Sequence, residues 1–306
     1  MPATAAYHTP VLVTEVVELL RGKSRVLDGT LGGGGHSEAL LESGVAHVVG
    51  VDRDPRAVVA ASARLEEFIS AGWFLGVVAN YADVVGLGLA GDPFGGILLD
   101  LGVSSHQFDD MERGFTFREG APLDMRMGDA AQSAADLLNS ADEGDLVAIF
   151  KAHGDERRAN RLASTIVHRR ARAPFVTADD LVNAIRGALG PRTGPPDFAR
   201  LFQAVRIAVN DEIGGLQRAL PALRDRLASG GVIVVITYHS GEDRVVKHAF
   251  RDWSARCICP PRHPQCTCRG HPLGETITRR AVLPSAAEVE RNSRARSAKL
   301  RAWRAA

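Results

Sequence analysis

Leu27-Asp28-Gly29-Thr30-Leu31-Gly32-Gly33-Gly34-Gly35-His36-Ser37 decides the fold of this chain. It follows Ser24-Arg25-Val26-Leu27-Asp28, a short apolar run that reads as a strand ending in a carboxylate, and it leads into a helix over about 37–43. Glycine opens positive φ and lets a ligand approach the backbone where a Cβ would stand. Asp52 lies 20 residues after Gly32, at the end of a second apolar run, His47 to Asp52. In nucleotide-binding sheets an acid at that place accepts hydrogen bonds from ribose hydroxyls. A phosphate-binding P-loop needs Lys and Ser/Thr after its glycines, and His36-Ser37 do not supply them. A pyrophosphate at the helix N-terminus would also face the negative Asp28. An acid there suits a sulfonium-bearing ligand, so S-adenosylmethionine is favoured over NAD; a structural role for Asp28 in holding the loop is the alternative.

The surrounding chain repeats the same alternation. Pro55 stands where a first helical turn accepts it, ahead of an Ala/Val/Leu helix to about Phe68. Further strands are read at Trp73–Val78 and Gly96–Asp100, and after a long interval at Val232–Tyr238. Helices are read at 198–211, 216–228 and 243–253, with 276–282 and 297–303 as a final pair of strands. Strands alternating with helices predict an α/β, doubly wound, Rossmann-like parallel sheet. Residues 108–197 break the pattern. Ser140-x-x-Glu143 and Thr177-x-x-Asp180 resemble helix-capping signatures, and Ala159, Leu162, Ala163, Ile166 and Val167 share one helical face. An inserted all-α domain over 108–197 is expected, flanked by a discontinuous α/β domain over 1–107 and 198–306, with the Pro/Gly-rich segment near 191–196 as hinge.

Composition narrows the class. The chain has 306 residues, 45% hydrophobic and 24% charged, with a net charge of +1. These are values of an ordinary globular protein. Residues 244–306 carry 14 Lys+Arg against 4 Asp+Glu, so a basic C-terminal segment is joined to an acidic body; this points to a polyanionic partner. No apolar run approaches the roughly 20 residues that span a bilayer. The four cysteines fall within 257–268. With no leader segment read at the start, the expected setting is reducing and cytoplasmic. Oligomeric state is left between monomer and homodimer.

The chemistry-bearing candidates follow from these elements. Asp100 ends the fourth strand beside the glycine turn, where a carboxylate can accept the N–H of an amine undergoing methylation or bind the cofactor. His239-Ser240 end a buried strand that should open onto the same cleft and are candidates for substrate contact, with a structural turn as the equal alternative. Arg157, Arg158, Arg161, Arg169, Arg170 and Arg172 are interrupted by no acid; Arg169 and Arg170 in particular are taken as phosphate contacts to the polyanionic partner, on an insertion overhanging the cleft, with a solvated helix face as the alternative. Cys257-x-Cys259 and Cys266-x-Cys268 offer four thiols. C-x-C is less typical of zinc than C-x-x-C, so they are read as reduced loop thiols and no metal ligand is assigned, with a tetrahedral zinc site or a disulfide as the alternatives.

The ordered motifs identify a family. His8-Thr9-Pro10-Val11-Leu12, Asp28-Gly29-Thr30 with Gly34-Gly35-His36, Asp52-Arg53-Asp54-Pro55, Asp100-Leu101-Gly102-Val103-Ser104-Ser105 and Gln107 with Asp109-Asp110 come first. Arg113-Gly114-Phe115, Pro122-Leu123-Asp124-Met125-Arg126-Met127, Asn210-Asp211-Glu212, His239-Ser240 with Glu242-Asp243-Arg244, and Arg294-Ala295-Arg296-Ser297 follow. Together they resemble the bacterial 16S ribosomal RNA cytosine-N4 methyltransferases over nearly the whole chain. The resemblance implies a class I methyltransferase fold with a helical insertion, S-adenosylmethionine as methyl donor, and a cytosine of the decoding region as substrate, in naked 16S rRNA or in the small ribosomal subunit. It places cofactor contacts on Gly34, Gly35, His36, Asp52, Tyr81, Asp100 and Gln107. Tyr81, His106 and Tyr238 stand where the family often has Phe, Pro and Phe. The competing readings are an NAD-linked dehydrogenase and a cofactor-sensing RNA-binding factor without turnover.

Overall fold

A computed structural model describes residues 10–83, 93–102, 111–128, 132–259, 265 and 267–306. The chain divides into two compact units, Met1–Gly102 with Ile213–Ala306, and Val103–Glu212.

The first unit is built on seven strands: β1 (Arg25–Asp28), β2 (His47–Asp52), β3 (Phe74–Val78), β4 (Phe94–Asp100), β5 (Leu227–Thr237), β6 (Gly274–Thr276) and β7 (Lys299–Ala305). Their order across the sheet is β3-β2-β1-β4-β5-β7-β6. β1 to β5 pair in parallel, whereas β7 runs antiparallel to β5 and β6 antiparallel to β7. The order turns back at β1, and ligands of such sheets bind outside the strand carboxyl ends at that switch point.

Both faces of the sheet are covered because successive side chains point to opposite sides. Val26, Leu98, Val232, Val234 and Ile236 pack into one core with Val16 and Leu20 of α1 (Val13–Leu20), Leu40 of α2 (Gly35–Glu42) and Ala61 of α3 (Pro55–Arg64). Their neighbours Leu27, Ile97, Leu99, Ile233 and Val235 pack into the other with Leu216, Ala219 and Leu220 of α10 (Glu212–Arg224). Strands buried on both faces read as continuous apolar runs, which is why they were visible in the sequence. The doubly wound α/β fold expected from the sequence is the one observed. Trp303 of β7 pairs with Ile233 and stacks edge-on against Trp253, with ring centroids 5.1 Å apart.

Several boundaries differ from the sequence reading. The helix expected from Pro55 to Phe68 breaks at Leu65 into α3 and α4 (Glu66–Ser70). The expected strand 276–282 is reduced to β6 and one isolated bridge, Val282 to Leu300. α1 was not assigned from sequence at all.

The second unit is helical. It comprises α5 (Ala134–Ser140), α6 (Glu143–Ala152), α7 (Ala159–Arg170), α8 (Ala178–Leu189) and α9 (Pro195–Val209). Phe198, Leu201, Phe202, Ala204 and Val205 of α9 share one core with Leu162 and Ile166 of α7 and Leu181 and Ile185 of α8. The helical unit therefore extends to Glu212, not to 197, because the apolar face of α9 is buried among these helices. The Thr177-x-x-Asp180 signature is a capping box at α8. Ser140-x-x-Glu143 is not: the box at this point is Ser133 with Asp136, and Ser140 ends α5 by donating its hydroxyl to Asp136 O at 2.7 Å. Among the described residues no helix is long and apolar enough to cross a membrane.

Candidate active site

Three adjacent strands end in aspartate: β1 in Asp28, β2 in Asp52 and β4 in Asp100. The glycine turn passes between them and is stitched to both neighbours. Gly29 N–H donates to Leu98 O at 2.9 Å, and Leu31 N–H to Val51 O at 3.0 Å.

Asp28 holds the turn. It is 1% exposed; its Oδ1 accepts the Thr30 N–H at 3.2 Å and its Oδ2 accepts the Ser37 hydroxyl at 2.7 Å. The loop-holding role weighed from sequence is thus the one its contacts describe. Burial pushes its carboxyl above the ordinary value of 3.8, against the opposing pull of His36 and the two hydrogen bonds. A carboxyl raised on folding binds its proton more tightly in the native state. Stability therefore falls as pH rises from about 3.8 through the raised value. Asp28→Asn removes that component, so its urea midpoint should vary less between pH 4 and 7 than that of the parent chain. An identical pH dependence in both proteins would show that Asp28 does not carry the shift.

Asp52 lies at the end of β2 and accepts two backbone donors: Gly32 N–H at 2.8 Å on Oδ2, and Asp54 N–H at 2.9 Å on Oδ1. Burial raises its carboxyl, with those N–H bonds opposing. Each carboxylate oxygen keeps capacity for a second donor such as a ribose hydroxyl.

The glycines are not equivalent. Gly34 (φ +78°) caps α2, and a Cβ there would stand 3.1 Å from Ala61 Cβ. A Cβ on Gly35 would stand 3.2 Å from Pro10 Cδ. These two positions need glycine for close packing of α3 and of the N-terminal segment. Gly32 (φ +49°) has only Thr30 O at 3.9 Å, so open space lies on its Cβ side.

Asp100 ties together several parts of the site. Its backbone N–H donates to Thr30 Oγ1 at 2.6 Å, and its Oδ1 accepts the Tyr238 hydroxyl at 2.8 Å. Its Oδ2 lies 3.7 Å from His36 Nδ1, and its side chain is 21% exposed. His36 is itself buried, with Nε2 2.9 Å from Val11 O. Burial first, and Asp100 second, push the Tyr238 hydroxyl well above its ordinary range, so it stays protonated as a donor. Tyr81 is half-buried, and its Cβ lies 3.2 Å from where a Gly29 Cβ would stand. Gln107 and the Ser104-Ser105-His106 segment lie outside the described residues.

His239 is the N-cap of α11 (Ser240–Ser254). Its Nδ1 accepts Glu242 N–H at 3.4 Å, while its buried Nε2 stands 3.2 Å from Glu242 Oε1 without hydrogen-bond alignment. Glu242, buried, also accepts the Tyr238 N–H at 2.9 Å. His239 is thus part of the turn that orients Tyr238, while Ser240 is exposed. The sequence reading missed the Tyr238–Asp100 bond and the Glu242 clamp; the quoted His239-Ser240 and Glu242-Asp243-Arg244 motif was the available signal.

In the helical unit the arginines separate by role. Arg170 Nη1 donates to Leu138 O at 3.0 Å and Ala141 O at 2.7 Å, closing the carbonyl end of α5. Arg158 Nη1 donates to Leu189 O at 2.8 Å at the end of α8. Both serve helix C-termini, so Arg170 is largely committed where it was expected to meet RNA. Arg161, Arg169 and Arg172 line an open cavity of ≈ 370 Å³ with Ser164, Thr165 and His168. Arg169 is exposed there.

Outside this region, Cys257, Cys259 and Cys268, none in a disulfide, are brought together after α11; Cys266 lies outside the described residues.

A family model described as the MraW methylase family matches residues 5–306. The chain is 64% identical to a ribosomal RNA small subunit methyltransferase H of Gemmatimonas aurantiaca, over 99% of this chain and 96% of that one. It is 46% identical to the protein of the same name from Heliobacterium modesticaldum, over 97% of each. An rRNA methylase structure from Streptococcus thermophilus covers 96% of this chain and 93% of that one, at 11% identity and a TM-score of 0.41, too distant to bear on the reading. The motifs spread from the N-terminal segment to β7 are thus those of one family: the chain belongs to the MraW methylase family.

Proposed function

We propose that this chain transfers a methyl group from S-adenosylmethionine to the exocyclic N4 amine of a cytosine in the decoding region of 16S ribosomal RNA. The chain is an rRNA methyltransferase, and S-adenosylmethionine is its methyl donor. The observation that carries the finer reading is Asp100 at the end of β4, a partly exposed carboxylate beside the glycine turn whose Oδ1 accepts the Tyr238 hydroxyl. The partly exposed carboxylates of Asp52 and Asp100 fit a cationic, phosphate-free ligand and oppose a pyrophosphate, whereas the buried Asp28 holds the turn. Asp52 is the acceptor for the ligand's hydroxyls, Gly32 has room above it, and Gly34, Gly35, His36, Tyr81 and Gln107 are the remaining proposed contacts.

When bound, the cofactor supplies an activated methyl group on a sulfonium. The chain must supply a nucleophile-orienting acceptor. The lone pair of a cytosine N4 is delocalised into the ring and attacks poorly. Asp100 accepts an N–H of that amine on Oδ2, which localises the lone pair and aligns it for in-line displacement. As the N–C bond forms and the S–C bond breaks, the amine proton leaves toward the carboxylate or to water. Tyr238 and Thr30 fix the carboxylate and its backbone during this step. The chain's cysteines all lie beyond position 256, none near β4 in sequence, so no covalent adduct of the kind used for carbon-5 chemistry is invoked. A base must leave its stack to be methylated, and Ser240 with His239 are the proposed base contacts. Arg161, Arg169 and Arg172 are proposed to meet RNA phosphates, and the helical unit to be the RNA-recognition domain.

Incubation with labelled S-adenosylmethionine and unmethylated small subunits, followed by nucleoside analysis, tests the reading. N4-methylated cytidine is expected. Label on another nucleoside would overturn the assignment of the atom, and no transfer to subunits or naked 16S rRNA would overturn the activity.

A further inference from the structure

Outside the methyl-transfer site, the largest chemical anomaly is the cysteine loop that follows α11. All four cysteines of the chain fall within 12 residues. The sulfurs of Cys257, Cys259 and Cys268 all lie within 4.8 Å of one another. None of the three is in a disulfide. Zn–S bonds of about 2.3 Å set S···S separations of about 3.8 Å in a tetrahedron, so a metal at the centre of this triangle asks for movements of an ångström or less.

The backbone is arranged for thiolate charge. Ile258 N–H points at Cys268 Sγ, with N···S 3.4 Å. The N–H groups of Thr267 and Cys268 donate to Cys259 Sγ. Crossed N–H···S bonds between two halves of a loop disperse the negative charge that metal-bound sulfurs carry, and such outer contacts orient ligands. Arg256 and Arg269 lie within the same segment. Three thiolates on a divalent ion leave a net negative charge, which these arginines offset.

Both ends of the loop are tied to the same helix terminus. Arg269 Nη2 donates to the Asp252 carbonyl and, at 3.0 Å, to Ala255 O; Leu273 N–H donates to Trp253 O at 2.8 Å. Cys257 and Ile258 are exposed, so these residues gain little order from apolar burial. Exposed residues of this kind are where a shared metal ion contributes most to order.

We propose that Cys257, Cys259 and Cys268 form a structural zinc site that fixes the loop between α11 and β6. The fourth position of the tetrahedron is completed by a donor beyond these three. The site is independent of methyl transfer, and its test does not depend on that activity.

The full chain, expressed in zinc-supplemented medium and purified under reducing conditions, should hold about one zinc per chain after dialysis against a weak chelator. Cys259→Ser should lower this to near zero while keeping the circular dichroism of the parent. Replacing Zn²⁺ by Co²⁺ should give intense thiolate charge-transfer absorption and tetrahedral d–d bands. Should the variant fail to fold, titration of the parent with a mercurial reagent decides: zinc release should track modification of at least three thiols. Sub-stoichiometric zinc in the parent, zinc content unchanged in Cys259→Ser, an octahedral Co²⁺ spectrum, or a disulfide in place of bound metal would each overturn the proposal.

Discussion

Asp100→Asn lowers the rate of methyl transfer at saturating cofactor and RNA by roughly 10²–10⁴-fold, the range for loss of a positioned proton acceptor. Asparagine keeps the shape of the side chain, the Tyr238 bond to Oδ1 and the backbone bond to Thr30. It replaces the second acceptor oxygen, 3.7 Å from His36 Nδ1, by an amide that donates. An N–H facing an N–H no longer localises the amine lone pair. Affinity for S-adenosylmethionine should change far less than the rate, by under tenfold. The opposite split, a large loss of affinity with the saturated rate intact, would make Asp100 a cofactor ligand and leave the amine without an acceptor from β4. Tyr238→Phe removes only the hydroxyl that holds Oδ1, so a smaller loss of roughly tenfold is expected, in proportion to one hydrogen bond on a charged group.

The second large effect concerns RNA. Replacing Arg161, Arg169 and Arg172 together by Ala should weaken binding of unmethylated 16S rRNA by on the order of 100-fold near 0.1 M salt. Each phosphate contact contributes roughly 0.7–0.9 to the slope of log K against log [salt], so the slope should flatten by about two to three. These three line one cavity on the helical unit with Ser164, Thr165 and His168. Arg170→Ala is the contrasting case. Its guanidinium serves the carbonyls of Leu138 and Ala141, so it should cost roughly 1–3 kcal/mol of stability with the salt slope unchanged. A triple variant whose binding keeps the parent's salt dependence would remove this face from the RNA interface.

The contrast between Arg169 and Arg170 shows where sequence stops being informative. Both stand in one arginine-rich run. Which one faces a cavity depends on helical phase and on where the ends of α5 and α8 come to lie, a matter of contacts some 30 residues away in the chain. The extent of the helical unit is a similar case. The Pro/Gly segment near 191–196 looks like a hinge, yet the apolar face of α9 is buried with α7 and α8. Amphipathic periodicity says that a face is buried, not which neighbour buries it.

What the amino-acid order determined by itself is the sheet and its turn. Buried parallel strands are local apolar runs, and the bend after β1 needs glycines where φ is positive, so both are written within a dozen residues. The strand-end aspartates were legible for the same reason. The division of labour among those aspartates was decided only by the tertiary structure. Asp28 turned inward to Ser37 nine residues on, whereas Asp100 met Tyr238 from 138 residues away and Thr30 from 70. Three sulfurs likewise became neighbours only because Arg269 and Leu273 return to the end of α11. A carboxylate or thiol acquires its chemistry from burial and partners, and both are set by how distant segments pack, which no local pattern encodes.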